Sequence, residues 1–473
     1  MAIVIFGASP AAPPWSLLYA IGALAALWWA WRALERVWIR PLRLGRALRA
    51  QGLGGTAYRF PSGDMKEYVR LAMAARSQSM PLRSHAIAPR AVPFDHSILR
   101  QHGQVAVTWL GSEPRVILSD PKLIREILAN KHGQFGKQRS TAWIERMLAN
   151  GLTAHQGKKW VVHRRIINHA FHLEKLEVSS KSATCCIMNF SIRYYPILAC
   201  FETELIRRWH DSVGAGDVDK IDIWPEFQNL TGDVISRAAF GSSFSEGRRI
   251  FQLQSEQAQN AVKMVHLMYI PGHNRRAETV LLRWNGTTAV LLTWTMVVLS
   301  MHPEWQDRAR EEVLRVFGKS QPDSEGINHL RIVTMVLYEV LRLYPPILLV
   351  SRETYQKSEL GGVEYPPGVT FTLPIVCIHH DPDVWGEDVD RFRPERFAEG
   401  VSKASKDAPA FFPFGWGPKI CVGQNFALLE AKIGLAMILQ HFLFELSPSY
   451  SHAPCAVSTL QPQYGAQIKL KKL

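Results

Sequence analysis

The stretch from Phe414 to Gly423, FGWGPKICVG, decides how this chain is interpreted. A cysteine that ligates iron as a thiolate needs a tight loop, with backbone N–H groups turned toward the sulfur. Gly417 and Gly423 allow the backbone to come close. A helix is expected from about Gln424, and its positive end would point back at the sulfur. The loop therefore predicts that Cys421 is a thiolate ligand of iron.

The alternative for Cys421 is a buried structural cysteine, which is the usual fate of a lone thiol. The chain has six cysteines in 473 residues, with no CxxC pair and no spacing typical of zinc sites. With average residue usage, the loop skeleton should arise by chance in roughly one chain in several thousand. The pattern favours iron ligation, and the low cysteine content favours a reducing compartment.

Four further features precede the loop, namely WVVHR (160–164), EVLR (339–342), Arg352 and FRPERF (392–397). Glu339 and Arg342 lie at i and i+3, so they share one helix face. Alone, such a pair is typical of a solvated surface. In this order and at this spacing, the four features and the cysteine loop resemble the cytochromes P450, the haem-thiolate monooxygenases. The resemblance extends from about residue 15 to the C-terminus.

This resemblance implies a mostly α-helical fold with a minor β component, and haem b as the cofactor. It implies that Cys421 is the axial ligand of the haem iron. The residues that it assigns to haem binding are Trp160, Arg164, Arg352, Phe414, Lys419, Cys421 and Gly423. It also assigns a structural cluster to Glu339, Arg342 and Arg396. Lys419 stands where the family usually has arginine, which keeps the charge but loses the planar fork.

The implied activity is insertion of one oxygen atom from O2 into a lipophilic small molecule. The wording of FFPFGWGPKICVGQNFALLEAK and HPEWQDRAREEV resembles most the plant microsomal clan that includes secologanin synthase. That resemblance implies a terpenoid or plant-hormone substrate. It also implies electrons from NADPH, delivered by a separate NADPH-cytochrome P450 reductase.

The N-terminus predicts a membrane anchor. Trp15 to Trp31 is an uncharged, apolar run at the short end of a spanning helix, and arginines follow it. We expect an anchor over 1–31, a basic linker over 32–60 and a haem-thiolate domain over 61–473. The protein would then be single-pass in the endoplasmic reticulum membrane, with its catalytic domain in the cytosol. A cleaved signal peptide is the alternative, although its positive charge should come before the apolar run.

The net charge of +14 is compatible with an anionic membrane or an acidic protein partner. We see no arginine-rich array with interleaved aromatic residues. The sequence therefore predicts no nucleic-acid partner.

The central helix departs from the family pattern. The family places two small residues and an acid–alcohol pair over the haem, where the pair relays protons. Thr287 matches the alcohol and is the candidate catalytic residue, but Gly286 replaces the acid, and Arg283 and Trp284 replace the small residues. Only 272–286 separate Pro271 from Thr287, so we expect a large internal deletion and a partly truncated fold. The segment 177–201 also lies outside the family pattern.

Three functions remain open at this point. The first is a membrane-anchored monooxygenase. The second is a haem-binding but catalytically impaired product that lacks the proton relay and the cavity roof. The third is a haem-thiolate enzyme that rearranges hydroperoxides without external electrons, which the intact cysteine loop and the apolar N-terminus disfavour.

Several local elements can be predicted. Val105 to Leu118 indicates two short strands, and Asp120 is a plausible helix N-cap. The segments expected to be helical are 288–299, 303–317, 330–343 and 424–444. Val369 to Cys377 is a strand candidate.

Overall fold

The computed structural model describes residues 14–130, 133–137, 152, 155–171, 203–213, 219–240, 286–323, 325–406, 409–457 and 459–473. Helices dominate this part of the chain and strands are a minor component, as the sequence predicts. The segments 177–201 and 272–285, with Arg283 and Trp284, lie outside the described residues.

The helices are α1 (Pro14–Leu34), α2 (Arg40–Ala50), α3 (Met65–Arg76), α4 (Ala88–Ala91), α5 (Pro93–His102), α6 (Pro121–Ala129), α7 (Gly157–Phe171), α8 (Ile223–Phe240), α9 (Thr287–Met301), α10 (Pro303–Phe317), α11 (Gly326–His329), α12 (Arg331–Leu343), α13 (Ile375–His379), α14 (Pro382–Trp385) and α15 (Gln424–His441). Residues 203–212 are also helical.

The strands are β1 (Gly54–Gly55), β2 (Val105–Leu110), β3 (Glu113–Leu118), β4 (Phe135–Gly136), β5 (Asp219–Asp222), β6 (Leu349–Thr354), β7 (Ser358–Leu360), β8 (Val363–Tyr365), β9 (Thr370–Pro374), β10 (Phe442–Leu446), β11 (Pro454–Ala456), β12 (Leu460–Pro462) and β13 (Gln467–Lys472).

The largest sheet has six strands in the order β1-β2-β3-β9-β6-β4. Strands β2 and β3 form the predicted hairpin, with Leu110 opposite Glu113 at the turn. The second sheet has the order β10-β13-β5. Two short hairpins, β11-β12 and β7-β8, complete the strands of the described residues.

Helix α9 is the centre of the core. Its residues are buried on nearly all sides, and it packs against α8, α12, α15 and β10. A helix with no polar face is typical of such a central position. Its threonines are tolerated in part because the Thr295 hydroxyl donates a 2.7 Å bond to the carbonyl oxygen of Leu291. The predicted buried helix over 288–299 is thereby confirmed.

Local signals set most helix boundaries. The Asp120 carboxylate accepts hydrogen bonds from the N–H groups of Lys122 and Leu123, as expected of an N-cap. Helix α12 is capped differently, because the Glu312 carboxylate from α10 accepts its first N–H groups, those of Arg331, Ile332 and Val333.

Two predicted boundaries are wrong. The helix expected to reach Phe444 ends at His441, because Phe442 begins β10 and pairs with Lys472. The strand expected to reach Cys377 ends at Pro374, and Ile375 begins the short helix α13. In both cases long-range strand pairing sets the boundary.

The N-terminal region is helical well beyond the expected anchor. Helix α1 continues through a π-helical turn, Glu35–Ile39, into α2, so much of the expected linker over 32–60 is helix. Large apolar side chains of α1, among them Trp15, Leu24 and Trp29, are exposed. Within the described part of the chain, no helix combines the length and the apolar character needed to cross a membrane.

Candidate haem-thiolate site

The cysteine loop is a compact turn held by its own backbone. The Cys421 N–H donates a 2.8 Å hydrogen bond to the carbonyl oxygen of Phe414, and the Ile420 N–H donates a 3.0 Å bond to that of Gly417. The Phe414 ring is partly buried and packs against the main core. These contacts anchor both ends of the loop, and Cys421 itself is exposed to solvent.

Gly417 is required by the packing of this loop. Its φ is +71°, and a Cβ there would lie 2.7 Å from the carbonyl oxygen of Leu128, near the end of α6. The left-handed conformation and the close approach both exclude a larger residue.

Gly423 lies at the N-cap of α15. Its φ is −94°, and a Cβ there would meet nothing within 4 Å. The expected approach of the backbone to the iron-ligating sulfur at Gly423 stays a prediction.

Cys421 lies three residues before Gln424, the first residue of α15, and its side chain is exposed. The first turn of a helix carries partial positive charge, which favours a thiolate over a thiol. A soft sulfur ligand in an accessible position is what an iron centre needs.

Cationic and aromatic side chains surround this ligand. Arg164 on α7 is buried, and its Nη1 donates a 2.7 Å hydrogen bond to the carbonyl oxygen of Ile420. The Arg164 Cζ and the Lys419 Nζ each lie 5.9 Å from the ring centroid of Trp160. Burial lowers the pKa of Arg164, and the neighbouring Cys421 thiolate opposes that shift. The structure thus brings Trp160, Arg164, Lys419 and Cys421 together.

These residues fit a haem. The thiolate can hold iron, the two cations can balance two propionates, and Trp160 offers an aromatic face between them. Arg352 is buried on β6, where its Nη1 donates a 2.9 Å bond to the Ser351 carbonyl oxygen. Its role in propionate binding stays a prediction.

The carboxylate of Glu339 meets both arginines expected beside it. The Arg342 Nη2 and Nε atoms lie 2.7 and 2.9 Å from Oε1 and Oε2 of Glu339. The Arg396 Nε lies 3.5 Å from Oε1, and the N–H of Arg393 donates to the same oxygen at 3.0 Å. Glu339 and Arg342 are fully buried.

This cluster is connected to the cysteine loop. The Arg342 Nη1 donates to the carbonyl oxygen of His379 at 2.8 Å, and the imidazole Nε2 of His379 accepts a 3.0 Å bond from the N–H of Phe412. The carbonyl oxygen of Phe412 accepts a bond from Gly415 inside the loop. The arrangement suits a structural role, because the carboxylate is enclosed by donors.

Thr287 is the first residue of α9, and its side chain is exposed, whereas that of Thr288 is buried. Gly286 precedes it in a left-handed conformation, with φ of 36° and ψ of 60°. An α-helix cannot continue through this conformation in L-residues. Helix α9 therefore begins directly after Gly286.

A buried acid that the sequence analysis missed lies beside the start of α9. Glu430 on α15 is 3% exposed, and the Thr288 hydroxyl hydrogen-bonds its carboxyl group. Burial raises the pKa of Glu430 to about 8, while the Thr288 bond acts in the opposite direction. The available signal was a carboxylate inside the apolar run FALLEAKIGLAMIL.

The helical fold and the thiolate loop define the chain as a haem-thiolate protein. It belongs to the cytochrome P450 family, whose family model matches residues 93–277 and 273–470. The enzyme class is therefore that of the cytochrome P450 monooxygenases, which use haem iron and electrons from a reductase.

The chain is similar to several named plant members of this family. It is 48% identical to Cytochrome P450 CYP72A616 of Paris polyphylla, over 96% of this chain and 98% of that protein. It is 40% identical to Cytochrome P450 72A397 of Kalopanax septemlobus, over 94% and 96%. It is also 40% identical to Cytochrome P450 72A11 of Arabidopsis thaliana, over 97% and 99%.

Proposed function

We propose that this chain is a membrane-attached monooxygenase that inserts one oxygen atom from O2 into a terpenoid or plant-hormone substrate. The observation that carries the proposal is the exposed Cys421 thiol at the start of α15, beside Arg164 and Lys419. The substrate class rests on the resemblance of the loop and of HPEWQDRAREEV to the clan that includes secologanin synthase.

Each residue of the site has a distinct part in this proposal. Haem b, when bound, supplies the oxygen chemistry. Cys421 holds the iron and gives it electron density. Arg164 and Lys419 neutralise the propionates, and Arg352 adds a third cation from β6. The Thr287 hydroxyl, which is exposed at the start of α9, is the group that would relay protons during oxygen insertion.

A reductase that carries electrons from NADPH is the proposed partner. Helix α7, which holds Trp160 and Arg164, exposes the apolar side chains of Val161, Val162 and Ile166 on its outer surface. Lys158, Lys159 and Arg165 are exposed on the same helix. A mixed apolar and basic surface over the haem site fits an acidic electron-transfer partner.

The N-terminal region is the proposed membrane attachment, with the bulk of the chain in the cytosol at the endoplasmic reticulum. The exposed apolar residues of α1 and the arginines that follow support it. Protease protection in sealed microsomes tests the topology, and carbonate extraction of the full chain separates a spanning helix from a peripheral one. A large domain that is protected and glycosylated would contradict this orientation.

An impaired haem protein is the second candidate. Gly286 has no acidic side chain, and the family model matches the chain as two segments that meet at 273–277. The alignment to the Paris protein covers 525 positions, more than the 473 residues of this chain. The alignment length supports residues missing from this chain, and the two segments that meet at 273–277 support a deletion near 272–286.

The carbon-monoxide difference spectrum of the reduced protein tests haem-thiolate ligation. We expect the spectrum of a thiolate-ligated carbonyl complex in the wild type and its loss in Cys421→Ala. Cys455→Ala is the control, because Cys455 is a buried residue of β11 and is distant from the cysteine loop in the sequence. A Cys421→Ala protein that keeps the spectrum would place the ligand elsewhere.

Turnover separates the remaining functions. The protein, its reductase and a terpenoid panel should form product that depends on NADPH. Haem binding without product would favour the impaired protein. Product formed from hydroperoxides without NADPH would favour the rearranging enzyme.

A further inference from the structure

Imidazole and phenol side chains form one continuous hydrogen-bonded chain at the C-terminal ends of α9 and α12. The Tyr344 hydroxyl lies 2.8 Å from Nδ1 of His85 and 3.3 Å from Nε2 of His452. Nε2 of His85 lies 3.0 Å from Nε2 of His302, and Nδ1 of His452 lies 2.9 Å from the Tyr450 hydroxyl. We call these residues the His–Tyr chain. All are buried except His302, which is partly exposed.

Glu304 fixes the direction of these hydrogen bonds. Its carboxylate, which only accepts, lies 3.2 Å from Nδ1 of His302, so this nitrogen carries the proton and Nε2 accepts. Nε2 of His85 then donates to His302, and its Nδ1 accepts from the Tyr344 hydroxyl. The Tyr344 oxygen in turn accepts from Nε2 of His452. Each neutral ring therefore uses one donor and one acceptor.

An added proton disrupts this order. Protonation of His302 or His85 would place an N–H on both Nε2 atoms, which are 3.0 Å apart. Within the chain, only the reversal of every bond would relieve the repulsion. That reversal would deprive the buried Tyr450 hydroxyl of His452 as its acceptor, and an unsatisfied buried donor is costly. The chain is therefore intact only while its imidazoles are neutral.

The chain ties segment 80–86 to the core. The Met80 N–H donates a 2.8 Å hydrogen bond to the carbonyl oxygen of His452, and the His85 ring bonds Tyr344. The Tyr344 ring stacks on Trp294 of α9, with centroids 4.7 Å apart and ring planes at 15°. Loss of the chain would loosen the segment from α9 and α12 together.

Burial is the largest influence on the pKa values of these imidazoles. It lowers the pKa of His85 to about 3 and that of His452 to about 4, from the ordinary value of 6.5. Burial also lowers the pKa of His302, and Glu304 acts in the opposite direction. Helix α9 contributes no charged residue. The other charged or titratable groups that face the rings are Arg83, Arg90, Arg342, His380 and Asp390.

We propose that the His–Tyr chain is an acid-released latch. It holds segment 80–86 on α9 and α12 while its imidazoles are neutral, and it releases the segment when His85 and His452 take up protons from solvent. A group with a lowered folded-state pKa gives stability that is complete above its ordinary pKa and is lost as the pH falls through the folded value. Release should therefore begin near pH 6.5 and increase toward pH 4. This inference goes beyond the proposed monooxygenase function.

Hydrogen exchange of the full-length protein, followed by mass spectrometry, tests the latch without turnover. The exchange rates are corrected for the intrinsic pH dependence of amide exchange. The opening constant of segment 80–86 should then rise on the order of 50-fold from about pH 6 to about pH 5, because two histidines each contribute nearly tenfold. An opening constant that does not change with pH would overturn the proposal.

Variants show which rings take up the protons. In His85→Gln the increase should fall to on the order of tenfold, because only His452 remains of the two inner rings. His302→Gln, at the partly exposed end, should also give a smaller increase, because glutamine cannot take up the proton that repels His85. This second variant decides the matter if His85→Gln does not fold.

His441→Gln is the matched control. Burial also lowers the pKa of His441, which contacts His210 at the end of α15. This variant should keep the wild-type increase for segment 80–86. Equal increases in the wild type, His85→Gln and His302→Gln would overturn the latch. A loss of haem binding or turnover would bear on the proposed function alone.

Discussion

The guanidinium of Arg164 donates a 2.7 Å hydrogen bond to the carbonyl oxygen of Ile420, the residue immediately before Cys421. Helix α7 is thereby tied to the cysteine loop by a buried, charge-assisted bond. Such a bond fixes the loop and also holds a cation beside the thiolate. One side chain thus serves both the geometry and the electrostatics of the site.

Arg164→Ala should weaken haem binding. A hydrogen bond to a charged group contributes about 1.5–3 kcal/mol, so the apparent haem affinity should fall by about 10- to 100-fold. Haem titration of the apoprotein measures this. Arg165→Ala is the matched control, because Arg165 is exposed on the same helix. Equal affinities of the two variants would contradict the role of Arg164.

Glu339→Ala should unfold or strongly destabilise the protein. Removal of one partner of a buried ion pair costs about 3–5 kcal/mol, because Arg342 would lose its carboxylate partner and Arg396 would keep only Asp388. Denaturant unfolding and haem content are the measurements. Glu395→Ala is the control, since Glu395 pairs with Arg308 at the surface and should change stability by at most about 1 kcal/mol. A stable, haem-loaded Glu339→Ala protein with only a changed rate constant would contradict the structural role.

An acid cannot simply be restored at position 286. The positive φ of Gly286 disfavours any side chain, and a Cβ would lie 3.0 Å from the Ala289 Cβ and 3.1 Å from the Thr231 hydroxyl. We expect Gly286→Ala to lower the free energy of unfolding by about 1–3 kcal/mol, and Gly286→Glu by at least as much. Thermal and denaturant unfolding check this.

Gly318 provides the comparison for that prediction. Its φ is +57°, and a Cβ there would approach only the Leu314 carbonyl oxygen, at 4.0 Å. Gly318→Ala should therefore lower the free energy of unfolding only through its positive φ, without steric contacts of the added Cβ. A Gly286→Glu protein as stable as the wild type would mean that the start of α9 rearranges.

Local signals made much of this molecule predictable. The Asp120 cap, the apolar run of α9 and the helix predicted over 330–343 each depend on residues close in the sequence, and the helices follow them. The grouping of Trp160 and Arg164 with the cysteine loop depended on the family pattern. The ends of α15 and β9 were missed because distant strands determine them.

The backbone at Gly286 and the environment of Glu430 could not be predicted in this way. From the sequence, Gly286 indicates only that the expected acidic side chain is missing. The left-handed φ of Gly286 becomes apparent only from the structure. Glu430 lies inside the apolar run FALLEAKIGLAMIL, but the run does not indicate which element packs against it. Its burial results from the packing of α9 against α15, which joins residues more than a hundred positions apart.

The titration of Glu430 should make stability depend on pH. Its pKa in the folded protein, about 8, lies above the ordinary value of 4.5. A group with a raised folded-state pKa gives stability that is complete below its unfolded pKa and is lost as the pH rises through the folded value. The wild type should therefore lose stability relative to Glu430→Gln between about pH 4.5 and about pH 8, by on the order of 4 kcal/mol.

Unfolding free energies of wild type and Glu430→Gln, measured by denaturant across this pH range, provide the test. Other titrating groups, such as the buried His85 and His452, are common to both proteins, so their effects cancel in the difference. The difference should be constant below the range and should grow in favour of the glutamine variant within it. Parallel curves would mean that Glu430 keeps an ordinary pKa and is ionised near neutral pH despite its burial.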